Sequence, residues 1–444
     1  MMKKYVGRIL ILMICVQSIS FLSLNAQDSV HVNLSKAIEI ALSENPNIRI
    51  ANRNIEAKKY YKTEQIASLF PSISLSSSYQ RTVKKQKMSM QFGGNDMEIE
   101  VGTSNNYAAG INFSLPLVAA PTWFNLKLSE LDVNLAIESA RASKISLVNE
   151  IKKAYYTMLL AKDSYQVLLI NYANVELNAK TVLDKYNQGM ASEFDKLRTE
   201  VQVKNQKPQI ISAKSTVELA TMMLKVLIGV NINEPIIFDG QLADYESELQ
   251  NYQTISANTL NLSGNSDLKQ LDIAQKQLDM SLKLIKSAAC PTLAFSGNYQ
   301  YMTMANDFKF SNYNWFPYST VGLSLQVPIL SWVGTSYKIK QSKLSIANLQ
   351  DQKQFLEKNL RVGISNSMMN IDNAIEELAS NKETMLQAEE AYNIVQKQFE
   401  VGMATWLDLN SAELAMTQSR LLYHQSIYNF LTAKTELENI LGNE

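Results

Sequence analysis

The chain has 444 residues, with 42 Lys and Arg against 42 Asp and Glu, and only 19% of its residues are charged. That balance excludes a nucleic-acid binder working by phosphate neutralisation, and two cysteines exclude a disulfide-stapled scaffold. Length alone leaves room for two or three ordinary domains.

Residues 1–26 read as a secretory signal peptide. Lys3, Lys4 and Arg8 precede an apolar run from Ile9 to Val16, and Leu24-Asn25-Ala26 offers a small residue before Gln27-Asp28. Gln17, Ser18 and Ser20 interrupt a span already short of the ~20 apolar residues of a transmembrane anchor. Cleavage after Ala26 removes three basic residues and no acid. Cys15 falls within the signal, behind Ile14 where a lipoprotein signal has a small residue, so the mature chain keeps Cys290 alone. After the signal no stretch approaches 18 continuous apolar residues, so any membrane crossing is made by strands.

A first unit spans 27–230. Leu34 to Leu42 has the spacing of a short amphipathic helix ended by Asn45-Pro46, and a second helix runs from about Pro46 to Leu69, before Pro71. The period then changes. Ile73, Leu75, Tyr79 and Val83 alternate with Ser72, Ser74, Ser76, Ser78 and Thr82, which predicts a strand over about 72–91. Gly93-Gly94-Asn95 marks a turn in a polar, Met-containing loop, and Tyr107, Ala109, Ile111, Phe113 and Leu115 carry a returning strand over about 105–116, ending at Pro116. A long helical hairpin is expected over 122–229, with Gly189 at its turn and Gly229 as its cap. Pro208, whose later counterpart is Leu421, should kink one hairpin and not the other.

Residues 231–265 lack strong periodicity and read as a connector with one short helix near Tyr252–Leu260. The order then repeats over 266–444. A helix from Leu268 to Ala289 stops before Pro291; strands follow over about 292–303 and 318–328, the second ending at Pro328; a hairpin follows over 332–442. The turns make the duplication explicit. Gln188-Gly189-Met190-Ala191-Ser192 and Val401-Gly402-Met403-Ala404-Thr405 stand 402 − 189 = 213 positions apart, each with an aspartate (Asp195, Asp408) six residues after the glycine. The endings match as well, Leu227-Ile228-Gly229 against Ile440-Leu441-Gly442.

The second hairpin carries a seven-residue line through Ile364, Ile371, Leu378, Met385, Tyr392 and Phe399; its counterpart in the first is Ile151, Met158, Tyr165, Tyr172, Ala179 and Tyr186. Sustained heptads mean coiled-coil packing. Lys162, Glu176, Lys382, Glu389 and Gln396 interrupt the seam, so one side of each helix should face water or a neighbouring hairpin. The fold class expected is therefore α+β, mostly α, a duplicated unit of long helical hairpins plus four strands per chain. Four strands cannot close a barrel, and open edges are not viable in lipid, so closure requires several chains.

With these features in this order, twice, the chain resembles the TolC-like outer membrane efflux protein family. The resemblance rests on Asn45-Pro46, on the helix–strand junctions Pro71, Pro116, Pro291 and Pro328, and on the duplicated glycine turns and endings. It implies a homotrimer with one twelve-stranded transmembrane barrel in the outer-membrane lipid of a Gram-negative bacterium. It also implies a periplasmic tunnel of coiled coils, met by a periplasmic adaptor (membrane fusion) protein and an inner-membrane pump of the RND or ABC type. No nucleic acid, cofactor or metal is implied.

The resemblance places an acidic gate ring at Asp408, with the helix N-terminal cap as the alternative role, and favours the cap for Asp195. The second acidic gate position is Ser411 here; a basic lock residue corresponds to Ala404 and a nearby tyrosine to Phe399. Gln188, Gly189, Met190, Val401, Gly402 and Met403 match adaptor-docking turns. Tyr79, Tyr107, Tyr299, Trp315 and Tyr318 are candidates for an aromatic girdle. Met88, Met90, Met97, Met302 and Met304 could offer thioethers to Cu(I) but read first as ordinary packing. The sequence holds no Walker loop, His-Glu-x-x-His or Gly-x-Ser-x-Gly, and His31 and His424 are isolated, so a non-enzymatic protein is expected. The competing class is a non-channel periplasmic or surface coiled-coil interaction protein.

Overall fold

A computed structural model describes residues 30–92, 95–250, 252, 260–329 and 332–443. The expected signal peptide, Gly93-Gly94 and most of the expected helix near Tyr252–Leu260 lie outside the described residues. In chain order the elements are β1 (Val30–Val32), α1 (Leu34–Glu44), α2 (Pro46–Ala67), β2 (Ser72–Arg81), β3 (Gln86–Phe92), β4 (Asn95–Val101) and β5 (Asn105–Val118). The first hairpin, α3 (Ala120–Asn187) and α4 (Glu193–Ile228), leads to β6 (Ile236–Phe238), a 3-10 turn (Leu242–Tyr245) and α5 (Glu246–Gln250). Then come α6 (Ser266–Ser287), β7 (Thr292–Ala305), β8 (Phe316–Gln326) and the second hairpin, α7 (Trp332–Glu400) and α8 (Trp406–Leu441). The chain is thus mostly helical, and it divides into two compact units. One draws on residues up to Asn45, Leu147–Thr254 and Met369–Thr435; the other on Pro46–Ser146, Ile255–Met368 and Glu436 onward.

The second of these units holds a four-stranded antiparallel sheet in the order β2-β5-β7-β8. Opposed residues share a face, so the register Tyr79↔Tyr107, Leu75↔Ile111, Ile111↔Tyr299 and Phe295↔Leu323 builds one apolar face. The other face is made by pairs such as Ser76↔Gly110, Asn112↔Asn298 and Asn298↔Thr320. The apolar face is uncovered, with Leu75 and Val321 each 80% exposed. Tyr79 stacks on Tyr107 at 4.8 Å, and Tyr299 meets Tyr301 edge-on, on that face. Tyr318 is different. It pairs with Gln300 on the polar face, because Pro317 and Ser319 take the alternate positions, and Trp315 precedes β8 altogether.

Three boundaries differ from the expectation. The stretch 72–91 is two strands, because four residues (82–85) on one side oppose three (102–104) on the other, where Gly102 takes φ +97°. That extra residue exchanges the faces, so Met88 and Met90 at even positions carry the alternation onward. The expected polar loop is consequently a hairpin, β3–β4, paired from Gln86↔Val101 to Phe92↔Asn95. Finally, Pro116 does not end its strand. It sits inside β5 where the register shifts, a position that spares a proline its missing donor.

In each unit one joint of the same design closes the long hairpin. Gly229 and Gly442 adopt φ +83° and +74° and end α4 and α8. Val230 N–H then reaches Lys225 O at 3.1 Å, and Asn443 N–H reaches Glu438 O at 3.0 Å, satisfying carbonyls the helix leaves open. An asparagine donates to the same helix end: Asn45 Nδ2 to Leu227 O at 2.7 Å, and Asn265 Nδ2 to Ile440 O at 2.8 Å. Asn265 also accepts from Leu268 N–H at 3.0 Å and so caps α6. The glycines are hemmed in by this contact. A Cβ on Gly229 would lie 2.9 Å from the Glu44 backbone, and one on Gly442 would lie 2.2 Å from Gly264 O.

Parallel pairing of β1 with β6 anchors the connector in the first unit. Tyr155 donates to Asp239 O, Lys162 to Gly240 O at 3.2 Å, and Leu242 N–H donates to Asp163 at 2.9 Å. Lys382 pairs with Glu246 at 2.5 Å, and Lys434 with Glu248 at 2.6 Å. Of the charges that interrupt the heptads, Lys162 and Lys382 therefore have partners in the connector. α4 continues on both sides of Pro208, which lacks the N–H for one intrahelical bond.

Four glycines end helices at positive φ, but only two are hemmed in by backbone. Gly402→Ala should cost about 1–2 kcal/mol from the left-handed conformation alone. Gly442→Ala, which also collides with Gly264, should cost at least twice as much. Urea unfolding midpoints of the purified protein would rank the two; equal midpoints would show that the joint is slack.

Candidate functional site

The two hairpin turns are built alike from the sequence upward. Gly189 (φ +74°) and Gly402 (φ +80°) terminate α3 and α7. Met190 N–H closes on Lys185 O and Met403 N–H on Gln398 O, both at 2.8 Å. A hydroxyl residue then opens the next helix. Ser192 Oγ accepts from Asp195 N–H at 3.0 Å, and Asp195 Oδ2 accepts in return from the Ser192 backbone and hydroxyl at 3.3 and 2.6 Å. Thr405 and Asp408 repeat the arrangement, with Thr405 N–H to Asp408 Oδ2 at 2.9 Å and Asp408 N–H to Thr405 Oγ1 at 3.2 Å. Ser192 and Thr405 are thus the N-caps, and both aspartates are the third-position partners that complete the capping boxes. The bonds from Thr405 hold the Asp408 carboxyl below the usual carboxylate range, and its Oδ1 accepts no bond among the described residues.

Around these turns the surface is apolar and open. Met190 and Val401 are each 71% exposed and Met403 is 81% exposed. A Cβ on Gly189 or Gly402 would meet nothing within 4 Å. Gln188 and Ser411 are exposed as well.

Beneath the second turn lies a core of Val182, Tyr392, Phe399, Trp406, Leu409 and Met416, with Ala191 and Ala404 packed against it. Phe399 is therefore a core residue. Ala404 offers no lock, but two cations arrive from the first hairpin. Lys185 donates to Phe399 O and lies 4.1 Å from the centre of its ring, while the Arg198 guanidinium lies 4.5 Å from that of Trp406. Gln202 donates to Asn410 at 2.6 Å. These contacts tie α3 to α7 and α4 to α8 at the turns. None was legible in the sequence, because no repeat-related residue pairs with another across them.

The buried line on α3 also departs from the expected one. Ile151 and Met158 are buried, but the line then passes through Val167, Asn171, Val175, Asn178 and Val182. Tyr165, Tyr172, Ala179 and Tyr186 lie at its margin, and Tyr172 donates to Glu176 at 2.5 Å. On α7 the heptad line is the buried one, with Ile364 and Ile371 at 1% exposure.

A polar cluster lies one to three turns beyond the core. Glu413 is 3% exposed, and its Oε2 accepts from Asn178 Nδ2 at 3.3 Å. Its Oε1 and the Tyr392 hydroxyl are buried without partners among the described residues. Thr417 donates to Asn171 at 3.0 Å, and Arg420 pairs with Glu389 at 2.7 Å. Burial pushes the Glu413 carboxyl up to about 7, since a charge there would have one weak donor. The signal for it was readable: Trp406, Leu409, Glu413, Met416, Arg420 and Tyr423 follow three-four spacing, with the carboxylate in the apolar register.

Comparison with known proteins agrees with this architecture. The family model described as "Outer membrane efflux protein" matches residues 37–230 and 259–443. The chain belongs to that family. One matched segment contains the Gly189 turn and the other the Gly402 turn. TolC of Vibrio cholerae is 21% identical over 345 residues, 76% of this chain and 77% of that protein. The alkaline protease secretion protein AprF of Pseudomonas aeruginosa is 19% identical over 432 residues, covering 95% and 87%. The solved structure of CusC superposes with a TM-score of 0.74 over 96% of both chains at 14% identity. The protein is an outer-membrane protein of the efflux and secretion channel family.

Glu413 gives a signed pH dependence. The carboxyl titrates higher folded than its ordinary value of 4.5, so the unfolded chain loses its proton first. Stability from this site is full below about pH 4 and declines as pH rises to about 7. Glu413→Gln should remove that decline and stabilise the turn region at pH 8 by ~3 kcal/mol. Hydrogen exchange of residues near Asn178 and Tyr392 at pH 5 and 8 would show it. Identical pH profiles in both forms would refute the assignment.

Proposed function

We propose that the protein is a passive homotrimeric duct of the outer membrane, through which a tripartite efflux or type I secretion system exports its cargo. The observation that carries the reading is the open sheet. Its apolar face is uncovered, β2 and β8 each leave one edge unpaired, and in hydrocarbon such edges require partners. Three copies of four strands close a twelve-stranded barrel with the serine and asparagine face lining the lumen. Tyr79, Tyr107 and Tyr299 belong to its lipid face, where they would serve as a girdle; Tyr318 belongs to the lumen.

The helices offer lateral faces of the same kind. Phe194, Leu197, Val201, Ile211 and Leu219 on α4 are each more than half exposed, as are Phe355, Val362 and Met369 on α7, spaced by seven. Stripes of this length are interfaces, and copies of the same chain are the partners that close a tunnel. At the turns, the exposed Met190, Val401 and Met403 are the surface for a periplasmic adaptor, with Gly189 and Gly402 permitting close approach. An inner-membrane pump of the RND or ABC type supplies the energy, and the duct performs no chemistry of its own.

Asp408 serves twice in this reading. Its Oδ2 caps α8 while the free Oδ1 of three copies forms an anionic ring at the gate, which favours cations. Ser411, one turn on, leaves the ring a single layer deep. Asp195 only caps.

Planar-bilayer recordings of the purified protein test both levels. Discrete channels from a cross-linkable trimer are expected, and a protein that never conducts would refute the duct. Asp408→Asn should lower the cation-to-anion permeability ratio severalfold, with an unchanged melting profile showing that the cap survives. Unaltered selectivity would remove the ring and leave the duct standing.

A further inference from the structure

One charged patch is used by neither the duct nor its gate. The helices join the sheet at one end only, where Ser72 faces Ser114, Pro116 faces Ala294 and Thr292 faces Gln326. At the opposite end, where Arg81 faces Asn105 and Asn105 faces Ala305, the chain from β2 to β3 reads Arg81-Thr82-Val83-Lys84-Lys85-Gln86-Lys87. Four cations stand within seven residues. Lys87 is neutralised by Glu98 at 2.9 Å. Arg81, Lys84 and Lys85 have no carboxylate within ion-pair distance among the described residues. Arg81 is instead held over the Phe308 ring at 5.5 Å, and Lys309 follows Phe308 in the β7–β8 loop. Asp307, the acid of that loop, accepts from the Lys309 backbone N–H at 3.3 Å.

The cluster borders apolar surface. Val83 is 95% exposed between the cations, Phe308 is 53% exposed, and below them Tyr79 and Leu75 continue the uncovered sheet face. Cations gathered at the rim of a greasy face match an anionic amphiphile, with a head group for the cations and chains for the face. An edge strand of ten residues ending at Arg81 spans about 33 Å, close to one hydrocarbon thickness. With the helices periplasmic, the cations emerge at the outer leaflet, whose anionic amphiphile is a phosphorylated saccharolipid.

We propose that Arg81, Lys84 and Lys85, together with Lys309, bind the phosphate groups of the outer-leaflet saccharolipid, whose acyl chains lie along the apolar face beneath Tyr79. The proposal rests on the barrel reading. Arg81 supplies a planar fork suited to two phosphate oxygens, and the lysines supply point charges around it. The site would fasten the barrel at its outer rim.

The test is equilibrium binding of fluorescent bis-phosphorylated lipid A to the full-length protein in detergent. The triple variant Arg81→Gln, Lys84→Gln, Lys85→Gln should bind at least threefold more weakly, and removing the phosphates from the lipid should weaken binding to the wild type by a similar factor. Inorganic phosphate at millimolar concentration should not displace the lipid. A smaller loss in either comparison overturns the site, and displacement by phosphate alone reduces it to an ion site and overturns the lipid assignment. If the variant fails to fold, the comparison of phosphorylated and dephosphorylated lipid on the wild type decides alone. Bilayer conductance of the wild type separates the two readings: conducting channels with no lipid preference sink only this proposal.

Discussion

An uncovered apolar sheet with two free edges constrains everything else in this protein. Each edge carries a row of backbone donors and acceptors, and each unpaired group placed in hydrocarbon costs several kcal/mol. A soluble protein would blunt the edges with charges or prolines. β8 instead runs Phe316 to Gln326 with Pro317 at its start and no charge within it, and β2 carries none before Arg81. Strands built this way are unfinished as a monomer. The exposed apolar stripes on α4 and α7 repeat the problem in helical form, and the lateral association of copies proposed above would answer both.

Duplication supplies the economy of the design and glycine supplies its articulation. Each repeat needs a long helix to stop, reverse and stop again, and each of the four stops is a glycine at positive φ. At the two turns the glycines face open space, so their role is conformational. At the two joints they are also required by contact, since an asparagine-bearing backbone packs against them. The Asn45-Pro46 start and the Leu-Ile-Gly ending, far apart in the chain, are thus two sides of one contact.

Much of the fold was legible because its punctuation is local. Prolines before strands, glycines after helices and the change of period at Ser72 each act within a few residues, so residue order alone revealed them. What escaped was non-local. The bulge between β2 and β3 depends on how residues 82–85 oppose 102–104, which no alternation count along one strand can register. The first hairpin's seam does not follow the heptad line of the second; Val167, Asn171 and Val175 take the buried positions, and the tyrosines, whose hydroxyls favour water, take the margin. The contacts of Lys185 with Phe399 and of Arg198 with Trp406 cross between hairpins, and the duplication does not announce them, since Phe399 and Trp406 correspond to Tyr186 and Glu193. For the turns, sequence favours capping for Asp195 and leaves Asp408 between cap and gate ring, and it could not show that capping leaves one Asp408 oxygen free.

A polar insert shared by α3 of the first hairpin and α8 of the second gives these turns a distinct character. Asn171, Asn178, Glu413 and Thr417 occupy positions where leucine would make a drier and more stable seam. Buried polar groups of this kind fix register at a cost in stability, and here the cost is concentrated beside the turn core, with two buried atoms lacking partners. A carboxyl near pH 7 in its titration makes that cost vary in the physiological range. The Asp408 cap has the opposite sign, since its depressed pKa yields stability that disappears as pH falls. The two act on adjacent turns of α8, so acid relaxes the cap while it tightens the seam behind it. For a gate as proposed, this division lets the capping box at the tip and the polar seam behind it respond to acid in opposite senses.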